Sequence, residues 1–332
     1  MTLFVLQDRD GLMAVRFATS PVWETQAAVQ VLADERARAY HASWLAEVRA
    51  DASELWLAPL LAALPRHGYA PDFLVPPPPS ARAGIAEQLA QVRGADPAEV
   101  ARELRWCQQT VHGQARRRLL ASLLTDPERA RDHLADRLED AWTRLVAPFW
   151  MRIHDLLQCD IDHRARGLAR CGLRHVLGHL HPKLRWTTRG MWLADSSGRT
   201  VEVDQRGLLL MPSVYLWPHL AAIGEPPWLP TIIYPAAGIG GLWQSPAPAP
   251  DALGRLLGQT RALILAYLDQ PSSTTALAAR LRLSMAGVSA HLVTLRDAGL
   301  LAASRHGHEV RYHRTDLGSA LLSAYQEAAE LA

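Results

Sequence analysis

The fold class read from the sequence is α+β. A large N-terminal domain of mixed helices and antiparallel sheet occupies residues 1–244, and a small, mainly helical domain occupies 251–332. Three observations lead there. Apolar residues recur three and four apart as far as about Leu180, then give way to short runs bounded by Gly, Pro, Asp and Ser. The stretch "QSPAPAPD", Gln244 to Asp251, alternates Pro and Ala, which continues neither helix nor sheet and forms a stiff linker at 245–250. All 11 tryptophans precede that stretch, the last being Trp243, so an aromatic-rich domain gives way to one without tryptophan.

The elements follow in order. "LMAVRFATS" predicts an early strand over Leu12 to Ala18. "WETQAAVQVLADERARAYHASWL" keeps the spacing of a buried helical stripe. Pro65, Pro76 to Pro79, Pro97, Pro127 and Pro148 then punctuate further helices. After "HPK" (His181 to Lys183) come four strand-like runs: "LRWTTRGMWLAD", "TVEVDQRGLLLMPS", "HLAAIG" and "PTIIYP". The small domain reads as helix, helix, helix, hairpin, helix. Its first helix is expected from Asp251 to Asp269, and Pro271 separates it from a second capped near Ser273.

The bulk numbers exclude several classes. At 49% hydrophobic residues the chain can bury a core, and no apolar run approaches the roughly 20 residues of a membrane span. "MTLFVLQDRD" has neither a basic n-region nor a cleavage site, so the expectation is a cytoplasmic protein without membrane association. Cys107, Cys159 and Cys171 are too few for a disulfide scaffold. Net charge is only +2, and Lys183 is the single lysine among 35 basic residues. Any grip on phosphate must therefore come from arginine, whose planar fork binds it bidentately.

The third helix of the small domain opens at Ser284, a suitable N-cap. Val288, Leu292 and Leu295 share its inner face, and Gly299 suits the left-handed position past its end. "LLAAS" and "EVRYH" then flank "RHGH", Arg305 to His308, with Gly307 in the turn. Helix, tight turn, helix and basic hairpin make a winged helix-turn-helix, whose second helix enters the major groove. The run "TALAARLRLSMAGVSAHLVTLRDAGLLAASRHGHEVRYHRTDLGSALL" resembles the ArsR/SmtB family of bacterial repressors. "GLLLMPSVYLWP" and "EPPWLPTIIYPAAG" resemble a large domain fused to such winged helices in uncharacterised bacterial regulators. Where those relatives have "YPARG" this chain has Ala237 in place of the arginine.

The resemblance implies a homodimeric repressor that reads a palindromic operator in double-stranded DNA. The outward face of the third helix nevertheless shows Ala286, Ser289, Ala290, Val293 and Asp297, none of which makes the bidentate base contact of an arginine. Ser284, Ser289, His291 and Thr294 are the polar groups expected near DNA, with Arg280, Arg282, Arg305, His306, His308 and Arg311 on the phosphates. Shape readout supplies the remaining specificity. Two stripes are expected to join protomers: Leu253, Leu257, Ile264 and Leu268, and Leu317, Leu321 and Tyr325.

The metal sites of the family are missing, since "TALAARL" and the last helix contain no Cys or His. "CDIDHRARGLARCGLRHVLGHLHP", residues 159–181, keeps a metal-responsive alternative open through Cys159, Asp160, Asp162, His163, Cys171, His175, His179 and His181. Arg164, Arg166, Arg170 and Arg174 interleave with these residues and oppose a cation. No cofactor and no bound metal are therefore expected. A small-molecule effector is the favoured signal, with Trp186, Trp192, Trp217, Trp228 and Tyr234 as candidate contacts. "GIGG", Gly238 to Gly241, lacks the setting of a phosphate or dinucleotide loop, so no enzyme is expected. A protein-interaction module or an enzyme carrying a degenerate winged helix is the remaining alternative.

Overall fold

A computed structural model describes residues 2–6, 15–33, 39–48, 54–65, 69–187, 190–193, 200–203, 205–224, 226–243, 251–281, 283–306 and 309–330. The linker at 245–250 lies outside them. The architecture is α+β. The chain packs as two units, Met1–Trp150 with Asp160–Gly240, and Met151–Cys159 with Gly241–Ala332. Among the described residues no helix is long and apolar enough to cross a membrane.

The first unit has a helical part and a sheet part. Its helices are α1 (Pro21–Leu32), α2 (Ala42–Val48), α3 (Glu54–Ala63), α4 (Ile85–Arg93), α5 (Pro97–Thr110), α6 (Gln114–Leu123) and α7 (Pro127–Ala141). Three prolines stand where their chemistry favours them. Pro21, Pro97 and Pro127 each open a helix, where the absent N–H costs nothing, behind the caps Ser20, Asp96 and Asp126. The long amphipathic stretch expected from Trp23 appears as α1 and α2. A 22-residue helix, α8 (Trp150–Cys171), follows, then α9 (Leu173–Gly178).

The sheet part matches the predicted runs closely. It contains β1 (Thr2–Leu6), β2 (Val15–Phe17), β3 (Leu184–Thr187), β4 (Gly190–Leu193), β5 (Thr200–Val203), β6 (Leu208–Ser213), β7 (Ala221–Ile223) and β8 (Thr231–Pro235). They form two sheets, ordered β3-β4-β1-β5 and β2-β6-β8-β7. The expected antiparallel pairing holds only in part. β1 runs parallel to β5, and β2, β6 and β8 are parallel, because β1 and β2 join strands that lie nearly 200 residues later. Phe4, Met191, Val203, Leu210, Ile232 and Tyr234 are at the centre of the core that the strands share with Val176 and Leu177 of α9. Gly224, just after β7, abuts the side chain of Val201 on β5, leaving no room for a Cβ.

Helices and sheet meet at a buried polar cluster. Glu24 of α1 accepts hydrogen bonds from the backbone N–H of Val214 (3.1 Å) and Tyr215 (3.4 Å), just past β6. Trp23 donates to the Ser213 hydroxyl (3.2 Å), and Gln88 of α4 accepts from Ser20 and from the Val22 N–H, both at 3.0 Å. Desolvation still dominates and raises the Glu24 carboxyl from 4.5 to about 7. Burial lowers the His41 imidazole, which packs on Tyr215 at 5.1 Å, from 6.5 to about 4.

The short helix α10 (Ile239–Leu242) falls on the division between the units, and the second unit continues with α11 (Asp251–Leu257), α12 (Gln259–Tyr267), β9 (Ser272–Ser273), α13 (Thr274–Leu281), α14 (Met285–Asp297), β10 (Leu301–His306), β11 (Glu309–Arg314) and α15 (Asp316–Glu330). The single helix expected over 251–269 is two, because Gly258 adopts φ 85°, a conformation that ends a helix. β9, β11 and β10 form a three-stranded sheet with β11 in the middle. Leu253, Ile264, Leu277, Val288, Leu292, Leu295 and Leu301 form the core. Residues Met151–Cys159 of α8 pack into this unit: Cys159 donates to the Pro271 carbonyl at 3.0 Å, and Arg152 donates to that of Leu242.

Candidate nucleic-acid interface

The site grows from a short turn. α13 ends at Leu281, the Leu283 N–H returns to the Ala278 carbonyl at 3.0 Å, and Ser284 starts α14. The Ser284 hydroxyl accepts from the Gly287 N–H at 3.1 Å, satisfying one donor that the first turn leaves open. Val288, Leu292 and Leu295, at most 1% exposed, pin one face of α14 to the core. Gly299 takes φ 72° and turns the chain into β10. The wing is the hairpin β10–β11, in register from Leu301↔Arg314 to His306↔Glu309.

Pinning that face exposes the other. Met285, Ala286, Ser289, Ala290, Val293, Thr294 and Asp297 are all on the surface. Met285 is 55% and Val293 38% exposed, so the helix presents small and apolar groups that suit a thymine methyl better than a guanine edge. The Thr294 hydroxyl donates to its own Ala290 carbonyl at 3.0 Å, and His291 is half-buried. Asp297 is held by Arg296 at 2.9 Å, so the acid does not stand alone against a phosphate.

The arginines divide. Arg305 is exposed on β10. Arg280 is half-buried, its guanidinium stacked 4.4 Å from the centre of the Tyr267 ring, so one face is taken by packing. Arg311 overturns its expected placement. It is 2% exposed and faces Asp155 of α8, with N and O 3.5 Å apart, so it belongs to the interior of the unit and not to the outer wing. Strand alternation is broken there: Val310 is 42% exposed while Arg311 and Tyr312 are both buried. Arg314 is half-buried as well, and burial lowers its guanidinium below the ordinary value. Arg282, His308 and the His306 side chain lie outside the described residues. Asp155, 156 residues before Arg311, carries no local signal in the sequence; the one hint is that "EVRYH" puts an arginine between two residues that both suit a core.

The expected dimer stripe also needs revision. Leu253, Ile264 and Leu268 are at most 1% exposed, and all three belong to the unit's own core, with Leu257 packed against it. Leu256 and Leu317, both 60% exposed, instead present apolar surface on the helices of this unit. Leu321 is half-buried, and the Tyr325 side chain lies outside the described residues.

The five aromatic candidates for ligand contact do not converge on one site. Arg185 faces Trp192 and Trp186 faces Met191 across β3 and β4, so the two tryptophans point to opposite sides of that sheet. Trp217 is exposed with its edge against Tyr40, and Tyr234 is fully buried with Arg164 over its ring at 5.7 Å. Trp228 lines a cavity in the first unit. Among the described residues no group of three or more His, Cys, Asp or Glu is placed to hold a metal. His175 and His179 stack at 4.2 Å, Cys159 is buried and Cys171 is exposed.

Two family models match parts of the chain. Residues 258–302 match the model of a family described as a helix-turn-helix domain. Residues 85–240 match the model of a family of unknown function (DUF5937). No curated protein and no solved structure matches the chain. The C-terminal part is thus a helix-turn-helix followed by a wing, and a domain of that kind suggests a DNA-binding regulator.

Proposed function

We infer that the protein is a homodimeric transcriptional regulator of ArsR type, a repressor in the cytoplasm, whose N-terminal domain senses a small molecule. The observation that carries the reading is a reading helix, α14, held by three buried residues and presenting its opposite face to solvent beside a hairpin wing. Its exposed groups read little sequence directly, so affinity rests on phosphate contacts by Arg305 and on backbone geometry. One such head binds DNA weakly, and two on half-sites about 34 Å apart bind well. The exposed Leu256 and Leu317 supply apolar surface for pairing. An effector that prefers one arrangement of the N-terminal domain shifts the paired heads between binding and non-binding states.

Footprinting on the DNA upstream of its own coding region tests this reading. Two protected half-sites one helical turn apart, lost on adding an effector, are expected. A single half-site bound by monomer, or no protection at low salt, contradicts it.

A further inference from the structure

We propose that the bases α14 reads directly are thymines, recognised through their methyl groups, so that the operator carries T·A pairs where this helix lies in the major groove. This rests on the reading of the protein as a DNA-binding regulator and names what its reading helix recognises. α14 is the second helix of the helix-turn-helix, the one that enters the groove and sets its N-terminal residues on base edges. Val288, Leu292 and Leu295, buried on one side, fix which side chains face outward. Ala286, Ser289 and Val293 stand at i, i+3 and i+7 along the middle of the opposite face, flanked by Met285 and Ala290. A solvated helix face ordinarily carries charge. This one exposes Met285 at 55% and Val293 at 38%, and the helix has no Asp, Glu, Lys or Arg before Arg296.

The hydrogen-bonding groups of α14 are few and mostly committed. The Ser284 hydroxyl accepts from the Gly287 N–H at 3.1 Å, the Thr294 hydroxyl donates to the Ala290 carbonyl at 3.0 Å, and Arg296 donates to Asp297 at 2.9 Å. Ser289 remains on the outward face, and a serine hydroxyl bonds donor and acceptor edges alike, so it selects no base strongly. What the face does offer is hydrocarbon. In the major groove thymine is marked by its C5-methyl group, the one apolar feature among the base edges there. The groove is about 12 Å wide, and a helix with its side chains measures about 10–12 Å across. Short side chains at Ala286 and Ala290 let α14 sit deep in it, where Val293 and Met285 meet such methyls. Methyl against methyl removes apolar surface from water, whereas cytosine has no methyl to offer and guanine presents acceptors that this face does not bond.

The test uses the full chain and duplexes that it selects from a random pool. The selected half-sites should hold thymine at fixed positions. Resynthesis with deoxyuridine at those positions removes the methyl and keeps the Watson–Crick edge. It should weaken binding about fourfold for each contacted methyl, read by fluorescence anisotropy at fixed salt. 5-Methylcytosine should bind better than cytosine at the same positions, because it restores the methyl. Val293→Ala should weaken the thymine duplex by a similar factor and leave the uracil duplex nearly unchanged, a coupling that a merely structural role would not produce. Thermal melts of this variant should match the parent chain, since Val293 is exposed. Uracil duplexes bound as tightly as thymine duplexes, or half-sites fixed at guanine instead of thymine, overturn the proposal. Two protected half-sites with no uracil effect keep the regulator reading and refute thymine recognition. A chain that selects no duplex at low salt refutes the regulator reading itself, and this proposal with it.

Discussion

Asp155→Ala should loosen the wing without touching the reading helix. Arg311 and Asp155 face each other at 3.5 Å with side-chain exposures of 3% and 16%. Removing one member of a fully buried pair costs about 3–5 kcal/mol. The long separation and the partial exposure of Asp155 reduce that figure, and about 2–3 kcal/mol is expected here. Amide exchange in peptides covering 301–314 should then speed up on the order of a hundredfold, while peptides of the first unit keep their protection. The double variant Asp155→Ala with Arg311→Met should recover most of the loss, since it removes both charges and keeps apolar volume. An Arg311 that touched phosphate would behave otherwise. Its substitution would leave exchange unchanged and lower the salt dependence of DNA binding by about one counterion per protomer. That pattern would refute the interior placement.

Other consequences follow from the same structure. Gly318→Ala should destabilise the second unit by about 1–3 kcal/mol in chemical melts, because a Cβ there falls on the Leu300 carbonyl oxygen, which is backbone and also bonded to the Thr315 N–H. Arg305→Ala should weaken binding to all DNA sequences alike and reduce the salt slope of the dimer by about two, one for each protomer, as direct salt titration would show. Stability of the first unit should vary little between pH 4.5 and 6.5, because two buried groups oppose each other. Glu24, raised from 4.5 to about 7, favours the folded state at low pH, and that contribution is lost as pH climbs to about 7. His41, lowered from 6.5 to about 4, contributes above 6.5 and loses its contribution as pH falls toward 4. Glu24→Gln should therefore make stability rise by about 2 kcal/mol from pH 4.5 to 6.5, and His41→Phe should make it fall by a similar amount, both followed by tryptophan fluorescence in urea.

What the sequence revealed was mainly local. Ser284 as a cap, Gly299 in its left-handed turn, the register of the wing and the strands from Leu184 to Pro235 all follow from residues within a few positions of one another. What stayed hidden was long-range or ambiguous in its local signal. The parallel partners of β1 and β2 lie nearly 200 residues away, and no turn announces them. Gly258 reads as a tolerated helical glycine, and only its φ of 85° reveals the break between α11 and α12. Arg311 looks like a wing cation because the residue that turns it inward, Asp155, belongs to a helix far upstream. The aromatic candidates show the same limit. Five large rings in or near the sheet region gave no hint that Trp228 would line a cavity, since that depends on the proline run approaching β2 and β6 in space.

The most direct test of the central claim is the affinity of the purified full chain for a duplex carrying its upstream region, followed by fluorescence anisotropy as salt rises. A wing arginine on each of two protomers predicts a straight line of log affinity against log salt with a slope steeper than about −2. A chain that fails to bind duplex at low ionic strength, or binds with no dependence on salt, contradicts the account.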